Sequence, residues 1–222
     1  MTSQLKIDFV SDVSCPWCVI GLKSLEEALA RIGNEIRFEL HFQPFELNPK
    51  MQAAGQEITE HITEKYGITP AQANANRENI RMRGAQVGFK FSMADDSGGG
   101  RSRIYNTFDA HRLLHWAELE DLGKQKALKE ALFKAYFTDG QSPGSHEVLV
   151  RLAGEAGLDA VRAGEILASN EFAAEVRSRE QFYLSQGIHS VPAVIINDRH
   201  LISGGQPTEV FEQALRQIAV DG

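Results

Sequence analysis

Apolar and polar residues alternate near the start of the chain. Leu5, Ile7 and Phe9 are separated by Lys6 and Asp8, the period of a strand with one buried face. The alternation breaks over Asp12 to Cys18, which predicts a loop, and a helix follows. Pro16 suits the first helical position because it has no N–H to leave unbonded; Leu22, Leu25, Leu29 and Ile32 then recur on one face until Gly33-Asn34 ends the run. Ile36, Phe38, Leu40 and Phe42 next alternate with Arg37, Glu39, His41 and Gln43, predicting a second strand with one buried and one wet face. Strand, helix and strand in so short a stretch imply a right-handed parallel crossover.

From Phe45 to Val191 strand character fades, and helices are predicted over Glu57 to Tyr66, Pro70 to Val87, Ile104 to Leu122, Lys124 to Phe137, Ser145 to Ala156, Asp159 to Ala168, and Glu171 to Gln186. Thr69-Pro70 and Ser145-His146-Glu147 have the composition of helix starts, and Gly67, Gly123, Gly140, Gly157 and Gly187 that of stops. Phe89, Phe91 and Met93 alternate as in a short extended segment, and equally fit a groove lining or core filling, while Asp95 to Gly100 reads as a surface loop. Ala193 to Ile196 is a continuous apolar run, Asn197-Asp198-Arg199 a turn and His200 to Ser203 a second strand, so a hairpin is expected before Gly204-Gly205. A last helix starts near Pro207, with Phe211, Leu215 and Ile218 on one face. The expected architecture is α/β: β-α-β and β-β-α segments (1–44 and 192–222, one discontinuous domain) around a large all-helical insertion (45–191).

Composition narrows the function classes. The chain has 23 Lys and Arg against 30 Asp and Glu, a net charge of −7 with its seven histidines neutral, and no dense basic run that would neutralise a phosphate backbone. Nucleic acid is therefore not an expected partner. The longest aliphatic stretch, Ala193 to Ile196, is far short of a membrane span, and Met1-Thr2-Ser3-Gln4 leads into strand-like sequence with no signal peptide, so no membrane association and a cytoplasmic location are expected. Two cysteines, Cys15 and Cys18, are too few for a disulfide scaffold.

Their placement carries the chemistry. Cys15-Pro16-Trp17-Cys18 sits where a strand feeds a helix N-terminus, whose unpaired N–H groups and positive dipole end favour a thiolate. Cys15 is the expected nucleophile, and Cys18, three positions on and facing it from inside the helix, the expected resolving thiol. Half of a zinc site is an alternative, but no other cysteine is present and the histidines show no second paired knuckle. Two inert core cysteines are another. Ser190-Val191-Pro192-Ala193 adds a second signal: a proline heading an apolar strand, where a cis bond would expose the Val191 backbone for pairing with a substrate. His111 and His115, four apart on a helix, fit a structural or substrate-groove role better than a metal site, since no glutamate follows His111. Asp12 caps or solvates the loop, or relays a proton. The glycines at 98–100 lack the Lys-Ser/Thr ending of a phosphate loop.

These residues carry a family resemblance. Ser11 to Cys18, with Ile20-Gly21 and Leu25-Glu26 following, resembles the redox motif of the DsbA-like thioredoxin-fold oxidoreductases, in particular the FrnE-like branch. Asn106 to Ala117 resembles that branch's helical-domain signature, and Gly187 to Pro192 its cis-proline segment. The resemblance implies a thioredoxin fold interrupted by a helical domain and dithiol-disulfide exchange at Cys15 and Cys18. It also implies that Pro192 is cis beside Cys15, with Pro16, Trp17, Val191 and Pro192 meeting the substrate. No bound cofactor or metal is implied; the redox-active element is the Cys15–Cys18 pair, glutathione is a candidate co-substrate, and the partner is a disulfide-containing protein or small thiol. The helical insertion leaves room for a homodimer. Periplasmic members carry an export signal and a histidine between the cysteines, whereas here the dipeptide is Pro16-Trp17, so a cytoplasmic reductase or isomerase is expected over an oxidase. The competing enzyme class is the kappa-type glutathione transferases and 2-hydroxychromene-2-carboxylate isomerases, where one serine or cysteine suffices; Cys18 argues against it. A binding module or chaperone using the groove between domains is a third reading.

Overall fold

The computed structural model describes residues 4–92 and 102–221; Met93, the loop expected at 95–100 and the first three residues lie outside them. The elements run β1 (Gln4–Ser11), α1 (Pro16–Ile32), β2 (Arg37–Pro44), β3 (Gln56–Glu57), α2 (Ile58–Tyr66), α3 (Pro70–Gln86), β4 (Arg103–Ile104) and α4 (Phe108–Glu120). They continue through α5 (Leu122–Phe137), α6 (His146–Glu155), α7 (Ala160–Leu167), α8 (Ala173–Ser185), β5 (Ala193–Ile196), β6 (His200–Ser203) and α9 (Thr208–Asp221).

Strand order in the main sheet is β2-β1-β5-β6. β1 and β2 are parallel, as the short β-α-β crossover predicts, with Phe9 opposite Phe42; β5 joins β1 antiparallel, with Phe9 opposite Val194. The hairpin turns through left-handed backbone at Asn197 and Asp198, residue types that tolerate it, and is closed by Arg199 N–H donating to Ile196 O at 3.1 Å. On one face of the sheet, α1 buries Val19, Leu22, Leu25 and Ile32 together with Phe211 and Leu215 of α9. That cluster also takes in Phe133, Tyr136 and Phe137 of α5, and Phe91. A second cluster gathers apolar faces of α4, α5, α6 and α7 around Val13, in the loop just before Cys15. The helical layer thus shares its cores with the segment that presents the cysteines.

Several expectations need correction. Phe38, on edge strand β2, is 41% exposed rather than buried. Asp8 and Gln43, expected on a wet face, are buried because α8 lies against β2 there. Gln43 Nε2 donates to Asp8 Oδ1 at 2.7 Å, and Arg179 of α8 donates to Gln43 Oε1 at 2.9 Å, so the polar atoms are satisfied inside. Among the described residues of the insertion, strand pairing is confined to one two-residue ladder between its helices, Gln56 opposite Ile104 and Glu57 opposite Arg103. The Arg103 guanidinium holds it by donating to Ala54 O and Gly55 O, and α4 consequently begins at Phe108 instead of Ile104. Gly123 ends no helix: Asp121 breaks α4 from α5 in extended backbone and caps Lys124 N–H at 3.0 Å, leaving Gly123 in the first turn of α5. Of the extended segment, groove lining and core filling that fit Phe91 by sequence, the structure shows the core: it packs against Phe137, ring centroids 5.2 Å apart, outside any strand.

Candidate active site

β1 delivers its chain end to the N-terminus of α1 through a loop tied by one buried carboxylate. Asp12 Oδ1 accepts Ser14 N–H at 3.1 Å, Oδ2 accepts Leu47 N–H at 2.7 Å, and the Asp12 carbonyl accepts Cys15 N–H at 3.2 Å. Cys15 occupies the N-cap in extended backbone, with no side-chain cap bond, and Pro16 stands first in the helix. The Cys15 side chain is thus not tied into the helix cap.

Both cysteines are free thiols. Cys15 is 4% exposed, and Cys18 lies beneath it with no exposure. Burial pushes the Cys18 thiol well above its ordinary range, and the hydrogen bond and charge of Cys15 push the same way. From the other end of the chain, Val191 O lies 3.7 Å from Cys15 Sγ, across a cis Val191–Pro192 peptide. Gly21 permits this approach: a Cβ there would stand 3.0 Å from Pro192 Cγ and 3.2 Å from Gly205 Cα. Trp17 is half-buried, with the Arg83 guanidinium 5.9 Å from its ring centroid. Cys15, Pro16, Trp17, Cys18, Val191 and Pro192 therefore meet at one end of α1.

Asp12 does more than solvate the loop. The His111 ring on α4 lies 3.7 Å from its Oδ1, both side chains being buried. Burial alone would raise the Asp12 carboxyl, but the His111 ring and the amides of Leu47 and Ser14 outweigh it and hold it below its ordinary 3.8. The unfolded chain thus protonates Asp12 at higher pH than the folded one. Its stabilisation is complete above 3.8 and is lost as pH falls from there through the folded value. Urea midpoints followed from neutral pH down to about 3 should show this acid slope in the wild type and a shallower one in Asp12→Asn. His115 stands apart from this pair, edge-on to Phe172 with ring centroids 5.3 Å apart and 4.0 Å from Glu118 Oε2; burial, with Arg179 nearby, pushes its pKa down.

Sequence reasoning did not single out three further residues near the thiols. Lys65 and Tyr66, at the end of α2, both feel the charge of Cys15: burial lowers the lysine, which Cys15 and Asp12 oppose, and burial and Cys15 raise the tyrosine. Lys129 of α5 is fully buried with no hydrogen-bond partner for its Nζ. Its signal was weak, a lysine among many, although Leu128, Leu132 and Phe133 around it are all core residues.

Comparison with known proteins agrees with this architecture. Residues 6–216 match the model of the DSBA-like thioredoxin domain. The chain is 35% identical to the "probable DsbA oxidoreductase" of Streptomyces coelicolor, whose crystal structure superposes with a TM-score of 0.86 over 96% of this chain and 89% of that one. It is 26% identical to the uncharacterized protein YwbO of Bacillus subtilis, over 97% of this chain and 96% of that protein. The cytosolic disulfide reductase DsbM of Pseudomonas aeruginosa, solved with GSH, shares the fold at 17% identity and a TM-score of 0.64, over 96% of this chain and 98% of DsbM. By sequence over nearly its full length, the chain belongs to the DSBA-like thioredoxin domain family.

Proposed function

We propose that this protein reduces or isomerises disulfides of protein or small-thiol substrates through Cys15 and Cys18, with glutathione regenerating the dithiol. The observation that carries the reading is the meeting of Cys15 Sγ, at the α1 N-cap, with the Val191 carbonyl of the cis-proline segment, while the second thiol is buried one turn below. Cys15 thiolate attacks one substrate sulfur, forming a mixed disulfide and expelling the other sulfur as a thiolate that takes a proton. Cys18 then attacks Cys15 Sγ and expels the remaining substrate thiolate. The enzyme is left as the Cys15–Cys18 disulfide, and two glutathione molecules return it to the dithiol as they become glutathione disulfide. Pro16, Trp17, Val191 and Pro192 form the contact surface, and residues 45–191 select what reaches it.

The GSH in the Pseudomonas reductase supports the choice of small thiol, and the cations of Lys65, which feels the charge of Cys15, and Arg83, over the Trp17 ring, suit the carboxylates of glutathione. Equilibration against glutathione buffers, with the thiols then alkylated and weighed, should place the Cys15–Cys18 couple between about −200 and −270 mV, in the range of glutaredoxins and thioredoxin. A value near about −120 mV would make the protein an oxidant instead. If Cys18→Ser keeps full glutathione conjugation or chromene isomerisation activity, the protein belongs with the glutathione-dependent isomerases and transferases.

A further inference from the structure

We propose that Lys129 accepts the proton of Cys18 in the step that resolves the mixed disulfide on Cys15. This rests on the dithiol reading above and adds to it a group from the helical insertion. Lys129 Nζ is fully enclosed, has no hydrogen-bond partner, and lies 4.9 Å from the centroid of the Phe133 ring. An unpaired ammonium in such a place is costly unless it has a counter-charge or gives up its proton. The charges it faces are few. From α1 come Cys18 and Cys15, and from the loop before α1 comes Asp12. Asp12 is already engaged by the Ser14 and Leu47 amides and faces His111 of α4. On the outer edge of α5, Lys126 pairs with Glu26 and Glu130 with Lys23, so those charges are internally balanced.

Cys18 is the group left to share a proton with Lys129. The two are matched: burial makes the thiol too weak an acid to ionise unaided, and burial brings the ammonium down to about 8, so that a useful fraction of free amine exists near neutral pH. Transfer turns a neutral pair into an ion pair whose attraction is strong in a medium of low dielectric. In the step itself the Cys18 S–H proton passes to Lys129 Nζ, the Cys18–Cys15 S–S bond forms, and the Cys15–substrate S–S bond breaks. The departing substrate thiolate is protonated by water, and Lys129 returns its proton to solvent. The dithiol is oxidised by two electrons and the substrate disulfide is reduced by two.

Stopped-flow mixing of the reduced protein with 5,5′-dithiobis(2-nitrobenzoate) separates the two halves: attack by Cys15 releases one chromophore, and resolution by Cys18 releases the second. In the wild type the second release should speed up through a midpoint near 8 and then level off. In Lys129→Met the first release should slow by no more than a few-fold, the loss of a cation that also faces Cys15, while the second slows by about 10²-fold at neutral pH and climbs with hydroxide without levelling. Lys129→Arg keeps the charge but accepts no proton, and should be as slow as the methionine variant. A second release unchanged in Lys129→Met, or restored by arginine, overturns the proposal while leaving the dithiol reading intact. No first release at all overturns both. Should the variants fail to fold, lysine labelled with carbon-13 at the ε position in the wild type gives the answer directly. One lysine should titrate near 8 in the reduced protein and shift on oxidation; no such resonance overturns the assignment.

Discussion

Cys15→Ser is expected to lower glutathione-dependent disulfide reductase activity by about 10³-fold or more, because a serine hydroxyl at the α1 N-cap neither ionises near neutral pH nor exchanges with a disulfide. The fold should tolerate the change. The side chain is small, makes no side-chain cap bond, and has the Val191 carbonyl as an acceptor that a hydroxyl can use. Cys18→Ser should behave differently. The first attack by Cys15 survives, but nothing displaces the second substrate sulfur, so a covalent adduct accumulates at Cys15 and is seen in the intact mass after quenching with acid. The pair of outcomes distinguishes the two roles. Full reductase activity in Cys15→Ser would remove the assignment of the nucleophile, and an absence of adduct in Cys18→Ser would remove that of the resolving thiol.

The parts of this molecule that were legible beforehand are those in which one local signal decides the outcome. Pro16 without an N–H, and the apolar positions of α1 at helical spacing, place that helix to the residue at its start. The same is true of Thr69, whose side chain and that of Gln72 form a reciprocal cap at the start of α3. What was not legible depends on where a distant element lands. Nothing near Asp8 or Gln43 announces that α8, more than a hundred residues away, will cover them and bring Arg179 with it. The ladder Gln56–Ile104 is two residues long, too short for alternation to show. At the site, the strand-helix junction marked Cys15 and Cys18. The partnership of Cys15 with Val191, 176 positions away, came only through a family resemblance, because local pattern has no reach over that distance. Lys129 was hidden for a related reason. A lysine in an amphipathic helix is normally on the wet face, and only the closure of α5 over α1 puts this one inside.

Arg112 shows what the helical segment resembling a family signature does physically, and its replacement is the largest stability change expected. The side chain is almost wholly buried, and no thiol is among its partners. Its guanidinium donates to three backbone carbonyls beyond the end of α7 and within its last turn: Nη2 to Ile166 O and to Ser169 O at 2.7 Å, and Nε to Glu171 O at 2.9 Å. Nη1 meets Asp109 Oδ1 at 2.8 Å, one turn back on α4. A helix C-terminus leaves its last carbonyls without intrahelical donors and carries partial negative charge, so a buried cation that forks across them satisfies both needs at once. Arg112→Met keeps the length and apolar stem but removes the buried fork from all three carbonyls, of which only Ile166 O keeps other donors, the Ser169 N–H and hydroxyl, and should cost about 2–3 kcal/mol in urea or guanidinium denaturation. Arg112→Lys restores charge without the planar fork and should recover only part of the loss. Because α4 and α7 pack in the same cluster as Val13, the loss should lower the temperature at which the Cys15 loop stays ordered. Below that temperature the rate of disulfide exchange should be that of the wild type. A loss in Arg112→Met of less than about 1 kcal/mol, the ordinary cost of an unremarkable substitution, would mean that water replaces the guanidinium and that the end of α7 does not depend on it.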